Sequence, residues 1–209
     1  MWLLPKPSRP PRAHKRAKMG MKEMGDQSGP ECRVNSYALV SYLPDPLGKF
    51  LNELRQDLDP ASHGMSHLTL LPPRPLACGA DETWRALKDC LRDFEPFTVE
   101  LGGVEFFKNT RVIYVAVQSG FHHLVKMHNS LNCGPATFVE PFEYHPHITL
   151  AQDLSGKEFD RALVLCTQRW NRFRNSRSHT IDRLTFVQNT LDDSWTDLAS
   201  LHLASQVAG

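Results

Sequence analysis

The chain has 209 residues, 41% of them apolar, which is enough for one domain with a real core. No apolar run approaches the roughly 20 residues of a membrane span, which excludes a spanning helix and any membrane partner of that kind. The formal charge is +1, but residues 1–22 hold seven Lys/Arg and no acid; the remainder carries 17 basic and 23 acidic residues, a formal −6, and lacks the broad basic surface that long nucleic acids require.

Residues 1–30 read as a basic, proline-rich tail or an over-called start, with Pro5, Pro7, Pro10 and Pro11 among the cations and Met19, Met21 and Met24 just ahead of the first structured element. Residues 31–209 read as a single domain. Its five cysteines, Cys32, Cys78, Cys90, Cys133 and Cys166, are odd in number and form no Cys-x-x-Cys. They point to reduced thiols in a cytoplasmic protein and not to a disulfide frame or a zinc site.

Val34 to Leu43 is rich in β-formers and predicts the first strand. Pro44-Asp45-Pro46 stops it and opens a helix carrying Leu47, Phe50, Leu51, Leu54 and Leu58. A strand follows at His67–Leu71, ended by Pro72-Pro73. Asp81 then caps a helix with Trp84, Leu87, Leu91 and Phe94 on one face. Phe97, Val99 and Leu101 alternate as a strand, Gly102-Gly103 predicts a bulge or turn, and Val104 to Phe107 continue the run.

The order then repeats. Arg111 to Val117 is a strand, and Phe121, Leu124, Val125, His128 and Leu131 mark a helix that ends at Gly134-Pro135. His147–Ala151 is a strand, and Phe159, Ala162, Leu163, Cys166 and Trp170 mark another helix. Thr180–Gln188 and Trp195–Leu203 predict a closing hairpin across Asn189–Ser194. Two repeat halves, about 34–107 and 111–205, imply a duplication with a pseudo-twofold axis.

Within this repeat, His67-Leu68-Thr69-Leu70 and His147-Ile148-Thr149-Leu150 occupy equivalent places, 80 positions apart. Side chains two apart on a strand share a face, so each His and its Thr point one way while the aliphatics point the other. A pseudo-twofold axis turns the two polar pairs toward one point. Two imidazoles that titrate near neutrality can divide the work of base and acid, and two hydroxyls can donate to the non-bridging oxygens of a phosphodiester. The arrangement requires no metal and no cofactor. His128-Asn129-Ser130 matches a looser form of the motif, but on a predicted helix.

At these residues the chain resembles the two-histidine phosphoesterase superfamily, the group of 2′-5′ RNA ligase-like proteins and RNA cyclic phosphodiesterases, over roughly Val34 to Leu203. The resemblance implies an α+β, bilobal fold in which two antiparallel sheets, flanked by helices, surround a central cleft. It also implies metal-independent attack on a 2′,3′-cyclic phosphate or a 2′-5′ linkage. His67 and His147 become the acid/base pair, and Thr69 and Thr149 the phosphate binders. The sequence departs from the better-known members at Leu150-Ala151-Gln152, where they commonly carry Leu-Ala-Arg, and at Leu71-Pro72-Pro73, which replaces Phe-Leu-Gly.

Arg74 is the candidate for the phosphate charge that Gln152 does not supply, against the alternative of a solvated loop arginine. Tyr144 is the candidate for stacking a base, with Tyr37 and Phe107 behind it. His145 can enter the cleft beside His147, but a metal pair there lacks a third ligand. The cations Arg169, Arg172, Arg174 and Arg177, with Trp170 and Phe173, resemble a phosphate-backbone contact surface; they also end a helix, where its dipole favours them, and the second explanation is preferred. The expectation is a monomeric phosphodiesterase acting on a short RNA or a nucleotide. Its rivals are a 2′-5′ phosphodiester hydrolase or ligase, a non-catalytic nucleotide- or RNA-end-binding module, and a partner-binding role carried by the basic tail.

Overall fold

The computed structural model describes residues 33–204 except 61, 63 and 193. The basic segment 1–30 and Cys32 lie outside the described residues. In chain order the elements are β1 (Arg33–Tyr42), α1 (Leu47–Leu58), β2 (His67–Arg74), α2 (Ala80–Leu91), β3 (Phe97–Phe106), β4 (Ile113–Ser119) and α3 (Phe121–Leu131). A short 3₁₀ turn (Gly134–Ala136), β5 (His147–Ala151), α4 (Gly156–Arg172), β6 (Ser178–Ile181), β7 (Arg183–Thr190) and β8 (Trp195–His202) complete it.

The strands form two antiparallel four-stranded sheets, ordered β2-β1-β7-β8 and β5-β4-β3-β6. The α+β class and two-sheet architecture implied by the sequence are present. The strand assignment differs in one respect. The run Thr180–Gln188 is two strands that break at Asp182: β6 pairs with β3 in the second sheet, and β7 pairs with β1 in the first. Thus β3 and β7 each lie in the sheet of the other sequence half. The two motif strands, β2 and β5, occupy corresponding edges.

Four smaller differences have local causes. β2 runs through Pro72-Pro73 to Arg74, which an edge strand tolerates because a proline's missing N–H can face away from the ladder. The first strand of the second half, β4, begins at Ile113, because Arg111, with φ 57°, follows a turn and its N–H bonds Phe107 O at 2.7 Å. Helix α2 begins at Ala80 with Gly79 as its cap, the Thr83 N–H closing on Gly79 O, so Asp81 acts as a first-turn charge. Phe94 falls beyond α2 but packs on the core.

The periodicity explains the packing. Leu47, Leu51 and Leu54 of α1 are buried, as are Leu124, Met127, His128 and Leu131 of α3. Helix α1 packs against β5 and α3 against β2, so each motif strand is supported by the helix from the other sequence half. Helix α4 lies on β3, with Trp170 fully buried and its Nε1–H donating to Gly102 O at 2.7 Å. Gly102-Gly103 is the expected bulge, seen as a register shift between Leu101 and Val104, and the indole satisfies a carbonyl that the bulge frees. The sheets are also joined directly where Ser41 Oγ of β1 meets His179 Nε2 of β6 at 2.9 Å in the core. Among the described residues no helix is long and apolar enough to cross a membrane.

Candidate active site

The alternation expected of the motif strands is complete. Leu68, Leu70, Ile148 and Leu150 are buried, while His67, Thr69, His147 and Thr149 are half-exposed on the opposite face. On β1, His67 sits opposite Tyr42 and Thr69 opposite Val40. On β4, His147 sits opposite Ala116 and Thr149 opposite Tyr114. β2 and β5 lie beside each other as edge strands without pairing, which brings the two motifs together.

Both imidazoles adopt the same pose. His67 Nδ1 lies 2.8 Å from Met65 O, and His147 Nδ1 lies 2.7 Å from His145 O, in each case the carbonyl two residues upstream. A carbonyl only accepts, so Nδ1 must carry the proton on both rings. Each Nε2 is then an acceptor on the neutral ring and a donor on the charged one.

Burial lowers the pKa of both rings; the carbonyl bonds oppose it in part, and nearby positive charge adds to it. For His67 that charge comes from Arg55 and His147, and for His147 from His145. The charge of His147 is among the influences that lower the His67 pKa, so a proton on one ring opposes a proton on the other. The singly protonated state, one base and one acid, is thereby favoured over the doubly charged one.

Aromatic rings wall both histidines. Tyr42 meets His67 edge-on at 6.2 Å, its hydroxyl donating to Asp197 Oδ1 at 2.6 Å. Phe107 and Tyr114 stack at 4.3 Å and present themselves to His147 at 5.0 and 5.2 Å. The Tyr114 hydroxyl donates to Glu105 Oε2, and burial with that carboxylate pushes its pKa up to about 12. His145 lies within this same aromatic group, 6.5 Å from the His147 ring. Among the described residues no three His, Cys, Asp or Glu side chains are grouped to hold a metal ion.

Residues 43–193 match the model of the 2′-5′ RNA ligase superfamily. The chain belongs to that superfamily. Relatives named Putative phosphoesterase include one from Geobacillus kaustophilus, 24% identical over 169 residues, which are 77% of this chain and 91% of that protein. Another, from Bacillus pumilus, is 25% identical over 164 residues, covering 77% and 92%. The fold is that of Escherichia coli LigT, whose crystal structure with 3′-AMP superposes with a TM-score of 0.56 at 19% identity, covering 82% of this chain and 99% of that one. The LigT structure with NADP+ gives 0.55 at 19% identity, covering 82% and 98%.

In this member of the 2′-5′ RNA ligase superfamily, Arg74 and Tyr144 are both engaged by other groups of the chain. Arg74 is 2% exposed and donates to Pro72 O, Asn132 Oδ1, Ala136 O and Glu140. It is a buried strut between β2 and the segment after α3, neither a solvated loop residue nor a group free to meet phosphate. Tyr144 stacks on His128 at 3.8 Å, and its hydroxyl donates to Thr69 O at 2.8 Å. His128 Nδ1 bonds the neighbouring carbonyl, Leu70 O, at 2.8 Å. These two side chains thus hold the backbone of β2 in place from the other sequence half, and one face of the Tyr144 ring is already taken. Tyr37 stacks on the buried Phe186.

Two cations of the cluster that ends α4 are engaged within the chain. Arg177 lies over Trp170, with its ring centroid 4.5 Å from Cζ, and Arg169 pairs with Asp57 at 2.7 Å. Tyr42, Tyr114, Asp197 and Arg55 had no sequence signal, because strand register and helix placement bring them to the motifs.

Stability carries a signature of the partly buried His67 and His147 and the buried His179. His67, His147 and His179 all have pKa values below the usual histidine value of 6.5, chiefly from burial. The unfolded chain therefore binds protons below about pH 6.5 that the folded chain does not. Their contribution to stability is full above that pH and is lost as pH falls toward the folded pKa values. Thermal unfolding followed from pH 7.5 to 5.5 is expected to show a falling Tm, and a flat or rising Tm contradicts the assignment.

Proposed function

We propose that this protein is a metal-independent phosphodiesterase that opens 2′,3′-cyclic phosphates of RNA ends or nucleotides. The observation that carries the reading is the matched pose of His67 and His147, each with Nδ1 bound to the carbonyl two residues upstream. A structural histidine needs only one satisfied nitrogen. Two rings fixed alike, on adjacent edge strands, with Nε2 reserved on both, suit a pair that exchanges protons with one substrate.

In this reading the neutral ring's Nε2 takes a proton from water as the water oxygen attacks phosphorus. The protonated ring's Nε2 gives its proton to the departing ribose oxygen as the P–O bond breaks. The product is a 2′- or 3′-phosphomonoester, and the pair ends with its roles exchanged. Thr69 and Thr149 donate hydrogen bonds to the non-bridging oxygens, where negative charge accumulates. Phe107 and Tyr114 beside His147 offer the sugar or base an apolar wall. The nucleotide found in LigT crystals supports a substrate of nucleotide size.

Membership of the 2′-5′ RNA ligase superfamily favours one further reading, a 2′-5′ phosphodiester bond as the target. Incubating the purified chain in EDTA with 2′,3′-cyclic AMP and separately with a 2′-5′-linked dinucleotide separates the two. Conversion of the cyclic nucleotide to one monophosphate is expected. Cleavage of the dinucleotide alone supports the second reading. Turnover of neither defeats both.

A further inference from the structure

A phosphodiester brings a negative charge to two rings whose pKa values burial holds below the usual histidine value, and its transition state adds more. The site therefore needs a further cation in reach of the phosphate. Most arginines near the core are otherwise engaged: Arg74 with Glu140, Arg111 over Phe159, Arg169 with Asp57 and Arg177 over Trp170. Arg55 is placed differently.

We propose that Arg55, held over the segment that leads into His67, is the cationic partner of the substrate phosphate. The inference rests on the phosphodiesterase reading and adds a charge-supplying residue to it. Asn52 and Arg55 stand three apart on α1, on one face. Asn52 Oδ1 accepts from the Ser66 N–H at 2.6 Å, and Arg55 donates through NH1 to Gly64 O at 3.0 Å. Between these anchors lies Met65, whose carbonyl fixes the His67 ring. The helix thus grips the segment that aims His67 and leaves a guanidinium beside it.

The Arg55 charge already acts on the His67 ring, second to burial among the influences that lower its pKa. A charge that reaches the ring reaches an anion bonded to that ring, with the opposite sign. Arg55 is itself half-buried, so its field is screened less than that of a solvated side chain. The groups around His67 are Tyr42 on β1 with Asp197 behind it, His147 on β5 and Arg55 on α1. Arg55 is the permanent cation in this set.

The test measures inorganic phosphate binding by ³¹P NMR and cyclic nucleotide turnover, in wild type, Arg55→Gln and Arg55→Lys. Glutamine keeps a donor for Gly64 O without charge, and lysine keeps charge without the fork. Arg55→Gln is expected to weaken phosphate binding and raise KM by roughly tenfold, the scale of one partly buried charge-assisted contact. It should flatten the salt dependence of binding and move the His67 limb of the kcat/KM profile to higher pH, since a like charge has been removed. Arg55→Lys should restore most of the affinity and the salt dependence.

Equal losses in both variants with an unchanged salt dependence would make Arg55 a positioning group for the loop and overturn the proposal. Unchanged phosphate affinity in Arg55→Gln overturns it while leaving the phosphodiesterase reading intact. Arg55-dependent phosphate binding in a wild-type chain that turns over no substrate supports the charge assignment and defeats only the function. No saturable phosphate binding by wild type overturns the charge assignment, and the function falls only if turnover is absent as well.

Discussion

Alanine at either His67 or His147 is expected to lower kcat for the proposed opening of a cyclic phosphate by about 10²–10⁴-fold, the scale of one lost general acid or base. The effect follows from the division of labour: with one ring gone, either water is not activated or the ribose oxygen leaves unprotonated. The two losses do not add. A step that needs both proton transfers is already disabled by either substitution, so His67→Ala/His147→Ala is expected to fall close to the worse single variant. Folding is not the cause of the loss. Both rings lie half-exposed on the face away from the core, so the variants should keep the wild-type Tm near neutral pH. A correctly folded single variant retaining more than about a tenth of wild-type kcat would remove that histidine from the acid/base pair.

Arg74→Met destabilises the chain by about 3–5 kcal/mol, the cost of leaving one member of a buried ion pair uncompensated. Arg74 is the hub of a polar knot inside the core. Its removal strands Glu140, whose side chain is 12% exposed, together with the carbonyls of Pro72 and Ala136, while Asn132 Oδ1 keeps only the Phe138 N–H. His128 lies 3.4 Å from Glu140, too weak a partner to replace a guanidinium when neutral. For a domain of this size the loss corresponds to a fall in Tm of about 6–20 °C. Arg74→Met/Glu140→Gln should recover part of it, because the buried charge goes with the arginine. An unchanged Tm in Arg74→Met would instead mean that the arginine is solvated and open to ligand.

The contrast between Arg74 and His67 marks what the sequence could show. The motif pairs are legible because the determinant is local: a two-residue period fixes which side chains share a face, and the repeat fixes where the strands sit. Arg74 has no such marker. Among prolines it reads as a loop cation, and only the return of Asn132, Ala136 and Glu140 some 58 to 66 positions later buries it. Tyr144 misleads for the same reason, since its stacking face is taken by His128 and its hydroxyl by Thr69 O.

The helices were legible to within about three residues, because each buries one stripe. The break at Asp182 was not. Ile181 and Leu184 are both fully buried and both suit a strand, yet they belong to different sheets. Which sheet a strand joins depends on the edge left open by distant strands, and no local propensity records that.

The central claim is that one phosphate bridges two rings from opposite halves of the sequence. It is tested most directly by NMR titration of the histidine ring protons in the presence and absence of a 2′- or 3′-nucleoside monophosphate. A phosphate hydrogen-bonded to both Nε2 atoms favours both charged forms, so the His67 and His147 pKa values should rise together. They should do so along one saturation curve at one ligand per chain. A response confined to one ring, or two responses with separate affinities, would contradict a shared site.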